Sequence, residues 1–376
     1  MRACAARRAH AAAAALSEAE VVIFATLAGP GRDGSLLVVG SDRQRAASAG
    51  AECPTLQYLL DHWDAHYPRL QRLVAALEAG RAPGAFSIDI RALLAPLPRA
   101  YAFLDGSAYP HHMSVIRQVR GARMPDDFLE KPLMYQGCSD PFLAPTAAIV
   151  LREDASYGID IEAEVVIITG DVPQGISAEE APGYVRLLGL LNDVSLRGLI
   201  PDEIGRGFGF LQGKSPSAMG PFVVTPDEVG ELWDGRLLSG RYQCDIRGTR
   251  IGDLEPGEDA VFNYADLIAH AAKTRELPAG TVIGAGALAN ADRERGCGCI
   301  AELRAREHLA SGAPQTDYLH FGDTLRLEMF DREGRSIFGA IEQTVERWPG
   351  QPRSATRPLV GRSDAAKASA SAMSNE

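Results

Sequence analysis

Ile161-Glu162-Ala163-Glu164-Val165-Val166-Ile167-Ile168 is the stretch on which the reading of this chain turns. Its β-branched density marks a strand, and side chains two apart on a strand share a face, so Glu162 and Glu164 project together. From Val165 to Ile168 the polar alternation stops, which puts the strand under cover on both faces. Two neighbouring carboxylates on a covered strand repel each other and cannot both stay ionised unless a cation or strong donors compensate. A hard divalent cation held by oxygen ligands is one solution. A solvated acidic patch on an edge strand is the plainer alternative, and this stretch alone does not separate the two.

Working outward, the chain has 376 residues with an apolar fraction of 46% and few long charge runs, which is the composition of a soluble globular protein with one large core or two domains. A net charge of −11, with pI near 5.3, argues against nucleic acid or an anionic membrane as partner, since no basic stripe interleaved with aromatics appears. The expected partner is a small molecule. Cys4, Cys53, Cys138, Cys244, Cys297 and Cys299 lack the paired spacing of a zinc site or a disulfide framework and read as reduced thiols of a cytoplasmic protein. No run of apolar residues is long enough to span a membrane. Residues 1–17, rich in Arg and Ala, read as a disordered segment or a mistaken start, although transit peptides share that composition. Residues 349–376, rich in Pro, Arg, Ser and Ala, read as a disordered tail.

Two short β-rich runs, 21–26 and 35–39, flank turn chemistry and open a small β-rich domain over 18–86. Pro54-Thr55 offers an N-cap to one long helix that ends at Gly80 and packs on that opening sheet. The second domain, 87–348, alternates short strands (148–151, 161–169, 220–224, 242–246, 281–284, 324–330, 336–344) with only two helical patterns, 179–192 and 264–274. That balance predicts a β-dominated α+β fold. Gly205-Arg206-Gly207-Phe208-Gly209 has no helix after it, so a dinucleotide fingerprint is not expected.

Several motifs now fall in an order that resembles the fumarylacetoacetate hydrolase family over roughly residues 100–347. Gly158-Ile-Asp-Ile-Glu-Ala-Glu-Val-Val-Ile looks like the family's strand with two metal-binding glutamates, here Glu162 and Glu164. Leu191-Asn-Asp-Val-Ser-Leu-Arg resembles the segment that supplies a metal-binding aspartate, Asp193, and a substrate-facing arginine, Arg197. Phe210-Leu-Gln-Gly-Lys-Ser is similar to the segment with the active-site lysine, Lys214. Asp105 and His112 stand seven apart, like the first metal-binding aspartate and the catalytic histidine, and Gly298-Cys-Ile-Ala-Glu-Leu resembles the stretch whose glutamate, Glu302, orients that histidine. Pro132-Leu-Met-Tyr-Gln-Gly resembles a substrate-contact loop and nominates Tyr135.

The resemblance implies a small β-barrel-like amino-terminal domain, a mixed β-sandwich roll of the fumarylacetoacetase C-terminal type, and homodimers. It implies a divalent cation, Mg²⁺ first with Ca²⁺ or Mn²⁺ as alternatives, held by Asp105, Glu162, Glu164 and Asp193. Three positions depart from the pattern: Ser107, Ile200 and Ala287 replace hydrogen-bonding residues. Taken singly the residues have plainer readings. Asp105 suits a turn, Lys214 a loop, and Glu302 the surface of a helix, while Cys297 and Cys299 read as inert. His111 beside His112 serves as a control.

The expected activity is metal-dependent hydrolysis of a carbon–carbon bond in a 1,3-diketo acid, fumarylacetoacetate-like or acylpyruvate-like, in the breakdown of aromatic compounds. His112 would take a proton from water, with Glu302 holding it, and Lys214 and Arg197 would hold developing negative charge or the substrate carboxylate. The alternatives are decarboxylation or tautomerisation of a 2-oxo acid on the same scaffold, and a non-catalytic metal-binding protein.

Overall fold

The computed structural model describes residues 22–29 and 31–350. The readings made for residues 1–17, for Cys4 and for almost all of 349–376 lie outside the described residues. In chain order the first elements are β1 (Ile23–Leu27), β2 (Ser35–Val39), β3 (Arg45–Ser48), α1 (Leu56–Asp61), α2 (Trp63–Glu78) and β4 (Phe86–Ser87). Thr55 caps α1 by accepting from the Tyr58 amide, as Thr does at an N-cap. The single helix expected here is two, because His62 leaves helical geometry at φ −131°, ψ 38°.

The chain continues through β5 (Phe103–Gly106), α3 (Pro110–Val119), β6 (Met134–Gln136), β7 (Ile149–Leu151), β8 (Ile159–Asp160), β9 (Ala163–Thr169), β10 (Val185–Asn192), β11 (Ser195–Leu196), α4 (Ile200–Arg206) and β12 (Ala218–Val224). It ends with β13 (Arg241–Ile246), β14 (Thr249–Leu254), α5 (Tyr264–Ala271), β15 (Val282–Gly284), α6 (Ile300–Ser311), β16 (Thr324–Phe330) and β17 (Ile341–Arg347). The fold is α+β and β-dominated.

One ten-stranded mixed sheet runs β4-β3-β2-β1-β12-β10-β9-β15-β5-β6, so the opening strands continue directly into the later ones where β1 pairs with β12. A five-stranded sheet, β14-β13-β16-β17-β7, packs its β16 and β17 against β10. The strand that opened the sequence reading is central: every residue of β9 is buried, between β10 and β15. Its apolar run is covered on both faces, as the lost alternation implies.

Three expectations are corrected. The helix expected over 179–192 is a 3₁₀ turn (Ala181–Tyr184) followed by strand β10. Val185, Leu187, Leu188, Leu190 and Leu191 fit a helical period, but a strand buried on both faces needs no alternation, and short apolar runs are ambiguous for that reason. The last strand lies at Ile341–Arg347 rather than 336–344. Three helices went unread, α3, α4 and α6; α6 is polar on most sides, which hides its buried first turn.

Candidate active site

Four neighbouring strands of the large sheet bring the carboxylates together. Asp105 lies on β5, Glu164 on β9, Glu162 just before β9, and Asp193 just after β10. Asp193 and Glu162 are held side by side by the Asp193 amide donating to the Glu162 carbonyl at 3.0 Å and by the Glu162 amide donating to Asn192 Oδ1 at 3.3 Å. One oxygen from each of Asp105, Glu162, Glu164 and Asp193 lies within 4.8 Å of the others, and all four residues are buried. β15 runs between β5 and β9 with Gly284 opposite Asp105. A Cβ at Gly284 would stand 2.5 Å from Glu164 Oε2 and 2.7 Å from Asp105 Oδ1, so the absence of a side chain is what leaves room for both carboxylates.

The charges are compensated unevenly. Asp193 accepts from Lys214 Nζ at 2.5 Å, Tyr135 Oη at 2.6 Å and Ser217 Oγ at 2.5 Å. Glu162 accepts from Lys214 and from Arg197, each at 2.6 Å. Burial pushes the Glu162 carboxyl up, but Lys214 and Arg197 together outweigh it and hold it below the ordinary carboxylate range. Asp105 Oδ1 and both Glu164 oxygens are buried with no hydrogen-bond partner. Burial, then the charge of Asp193, pushes Asp105 up to about 7, and burial, then Asp105 and Asp193, pushes Glu164 well above the ordinary range. Buried acceptors without donors are expensive. Three such oxygens converging beside two compensated carboxylates fit a hard cation with oxygen ligands.

A second group closes the cavity. His112 on α3 sets its Nδ1 3.2 Å from Glu302 Oε2, in the first turn of α6, and α3 packs on α6. A carboxylate only accepts, so Nδ1 carries the proton, and in the neutral ring that leaves the lone pair on Nε2. Arg306 also pairs with Glu302. The first turn of α6 is itself held by Asp160, which accepts from the Ile300 amide at 2.7 Å and the Ala301 amide at 2.9 Å, and pairs with Arg197 Nε at 2.8 Å.

Asp105 and Glu162 of the first group and His112 of the second line one cavity of about 540 Å³, together with Tyr135, Met113, Ile116, Ile204 and Phe210. Six of the nine residues nominated from the sequence line it, and Glu164, Asp193 and Glu302 are buried beside those six; Ser107, Ile200 and Ala287, the three departures, line the same cavity. His111 is not among the lining residues. Lys214 and Arg197 were expected as donors to substrate, but here both spend hydrogen bonds on carboxylates. The sequence reading missed Asp160, Ser217, Arg117 and Arg120. Asp160 had a signal, since it precedes Glu162 by two as Glu162 precedes Glu164; the two arginines had none before α3 was known to border the cavity.

A cluster of buried carboxylates suited to a cation, with a carboxylate-held histidine lining the same cavity, is the arrangement of a metal-binding site. Residues 102–346 match the model of the fumarylacetoacetate (FAA) hydrolase C-terminal domain, and residues 22–99 match fumarylacetoacetase N-terminal domain 2. The chain belongs to the fumarylacetoacetate hydrolase family. It is similar to 2,4-didehydro-3-deoxy-L-rhamnonate hydrolase of Sphingomonas sp. (strain SKA58), at 26% identity over 58% of this chain and 66% of that protein, just under two thirds of the relative's length. A probable 2-hydroxyhepta-2,4-diene-1,7-dioate isomerase of Mycobacterium abscessus has the same fold, with TM-score 0.60 and 17% identity over 88% of this chain and 99% of that one. So does maleylpyruvate hydrolase of Sphingobium sp. SYK-6 in complex with manganese(II) and pyruvate, with TM-score 0.58 and 17% identity over 86% and 99% of the two chains. No helix among the described residues is long and apolar enough to cross a membrane.

Proposed function

We propose that this protein hydrolyses a carbon–carbon bond in a 1,3-diketo acid of the acylpyruvate kind, with a divalent cation held by Asp105, Glu162, Glu164 and Asp193. The observation that carries this reading is the His112–Glu302 pair, a candidate base that lines the same cavity as Asp105 and Glu162. Proton abstraction from water is what a hydrolase needs and a decarboxylase does not. The names of similar proteins add support. The Sphingomonas relative is named for a 2,4-didehydro-3-deoxy acid, oxidised at carbons 2 and 4 on either side of a deoxy carbon 3, which is the 1,3-dicarbonyl pattern. The Sphingobium enzyme holds manganese(II) and pyruvate.

When bound, the cation supplies Lewis-acid polarisation of substrate carbonyl oxygens. His112 Nε2 takes a proton from water as the water oxygen bonds to the acyl carbon. The bond between that carbon and the methylene then breaks, its electron pair leaving with the 2-oxo acid fragment, which takes up a proton as it is released. Glu302 holds the imidazole in the tautomer this requires and balances the charge it acquires. Arg197 and Lys214 place positive charge beside the oxygens where negative charge collects. Arg117 and Arg120 line the cavity without an acidic partner among the described residues, and Arg117 Nε is buried and unpartnered. That favours an acyl arm ending in a carboxylate, lying along the apolar wall of Met113, Ile116 and Ile204.

The test is a panel of acylpyruvates, with and without a distal carboxylate, assayed for pyruvate release by the full chain after chelation and again with Mg²⁺ or Mn²⁺. Turnover restored by the cation and highest on dicarboxylic members is the expected result. Full activity in excess EDTA would remove the cation from the reading. Decarboxylation of a 2-oxo diacid that survives His112→Ala would replace hydrolysis by the decarboxylase alternative.

A further inference from the structure

We propose that Asp160 is a positioning residue that fixes the His112–Glu302 pair from behind, by clamping the first turn of α6. Its carboxylate is fully buried, and its four described hydrogen bonds come from three separate segments. Oδ1 accepts from the Ile161 amide at 2.8 Å and the Ile300 amide at 2.7 Å; Oδ2 accepts from the Ala301 amide at 2.9 Å and from Arg197 Nε at 2.8 Å. Ile300 and Ala301 immediately precede Glu302, so the carboxylate that orients His112 rides on a turn that Asp160 holds. The other cap of this helix is weak: Cys299 Sγ accepts from the Glu302 amide at 3.4 Å, and sulfur is a poor acceptor. An anion at a helix N-terminus answers both the free amides and the helix dipole.

Asp160 also joins the two halves of the site. Through Arg197, whose other end donates to Glu162, the carboxylate that fixes the base is tied to one that faces the cation position. In Asp160→Asn the side chain keeps one acceptor oxygen and gains an amide that donates. Whichever way it turns, two of the four N–H groups then face a donor. The first turn of α6 loosens, Glu302 samples more than one position, and His112 loses its single tautomer.

The test rests on the proposed hydrolysis for its kinetic arm only. In Mn²⁺-loaded enzyme, D160N is expected to lower kcat on the preferred acylpyruvate by about 10–100-fold, the usual effect of removing a residue that orients a working side chain. In an E302Q background the same change should cost less than about threefold, because the group being positioned is already compromised. The direct readout is the long-range ¹H–¹⁵N spectrum of histidine-labelled protein, assigned with H112A. Wild type should show one His112 tautomer protonated at Nδ1, and D160N a mixture, with Mn²⁺ affinity by calorimetry held within about threefold. Should D160N fail to fold, D160S carries the same measurements, since serine retains an oxygen acceptor for the helix end without the charge that Arg197 uses. Wild-type kcat in D160N, additive losses with E302Q, or an unchanged His112 tautomer in the folded variant would overturn the proposal. A wild-type enzyme that binds Mn²⁺ yet turns over none of the panel would instead count against the hydrolase reading, and the tautomer spectrum would still decide the role of Asp160.

Discussion

The floor of the cavity and its rim are built on opposite principles. The floor is β5, β9, β10 and β15, where Asp105, Glu162, Glu164 and Asp193 are buried and the backbone around them is held by strand pairing. The rim is α3, the segment after it, and α4 with the loop that follows. There Leu129 is 66% exposed and Phe208 and Leu211 are each 84% exposed, with nothing of the described residues covering them. A floor made of sheet fixes charges to within a fraction of an ångström; a rim made of short helices and loops fixes less and, His112 apart, can be changed without touching the chemistry. The two should therefore respond to mutation in different quantities: the floor in rate and metal affinity, the rim in selectivity.

The largest effect is expected at His112, the proposed base, which stands between the two. His112→Ala is expected to cut hydrolysis by roughly 10²–10⁴-fold, the usual worth of a positioned general base, while His111→Ala leaves it nearly unchanged. Steady-state kcat for both variants decides it. Equal behaviour would erase the distinction between the histidine that meets Glu302 and the one that does not.

Next comes the floor's response to pH in metal-free protein. A carboxyl whose pKa is higher folded than unfolded holds its proton more tightly in the fold, so the stability it lends is complete below the unfolded value, near 4. That contribution is lost as pH rises through the folded value, which for Asp105 is about 7. Glu164 shifts in the same direction. Chelated protein should therefore lose thermal stability between about pH 4 and 7, and saturating Mn²⁺ should flatten the profile. Tm measured across that range with and without Mn²⁺ checks this, and identical profiles would mean the orphaned oxygens have another partner.

A smaller effect is expected at the junction of floor and rim. Ala287 lines the cavity where a hydroxyl donor would tighten recognition. Ala287→Thr should change the ratio of kcat/KM between two acylpyruvates by about 10-fold or more while moving the rate on small ones less, since sites that hydrogen-bond their ligand discriminate better than apolar ones. The smallest effect is at the outermost rim. Phe208→Ser and Leu211→Ser should leave stability within about 0.5 kcal/mol and Mn²⁺ affinity unaltered. A large loss of either would make this loop part of the floor's support.

The same division explains what could be read from the chain before its fold was known. Glu162 and Glu164 were legible because strand periodicity put them on one face and the apolar run beyond them demanded cover. Asp105, which looks like a turn residue in Leu104-Asp105-Gly106-Ser107, became legible only through its spacing to His112 within the family resemblance. Glu302 misled when taken alone. Its helix is polar, but the first turn docks behind α3 and the residue is fully buried. Residues 185–192 were misread because a strand covered on both faces carries no alternation to distinguish it from a buried helix. Apart from His112 and Tyr135, the rim could not be read: Arg117 and Arg120 matter only because α3 lies along the cavity, and no local pattern announces that.

The join between β1 and β12 has a consequence for how the molecule can be cut. Ile23 and Phe24 pair with Val224 and Val223, and β12 in turn flanks β10, the strand that leads into Asp193. Without the opening strands, the β12 face of that ladder would present unpaired amides and carbonyls along a buried, apolar strand, the kind of open edge that recruits other chains. The amino-terminal hairpins thus act as a seam allowance, shielding from aggregation a sheet whose chemistry they never touch.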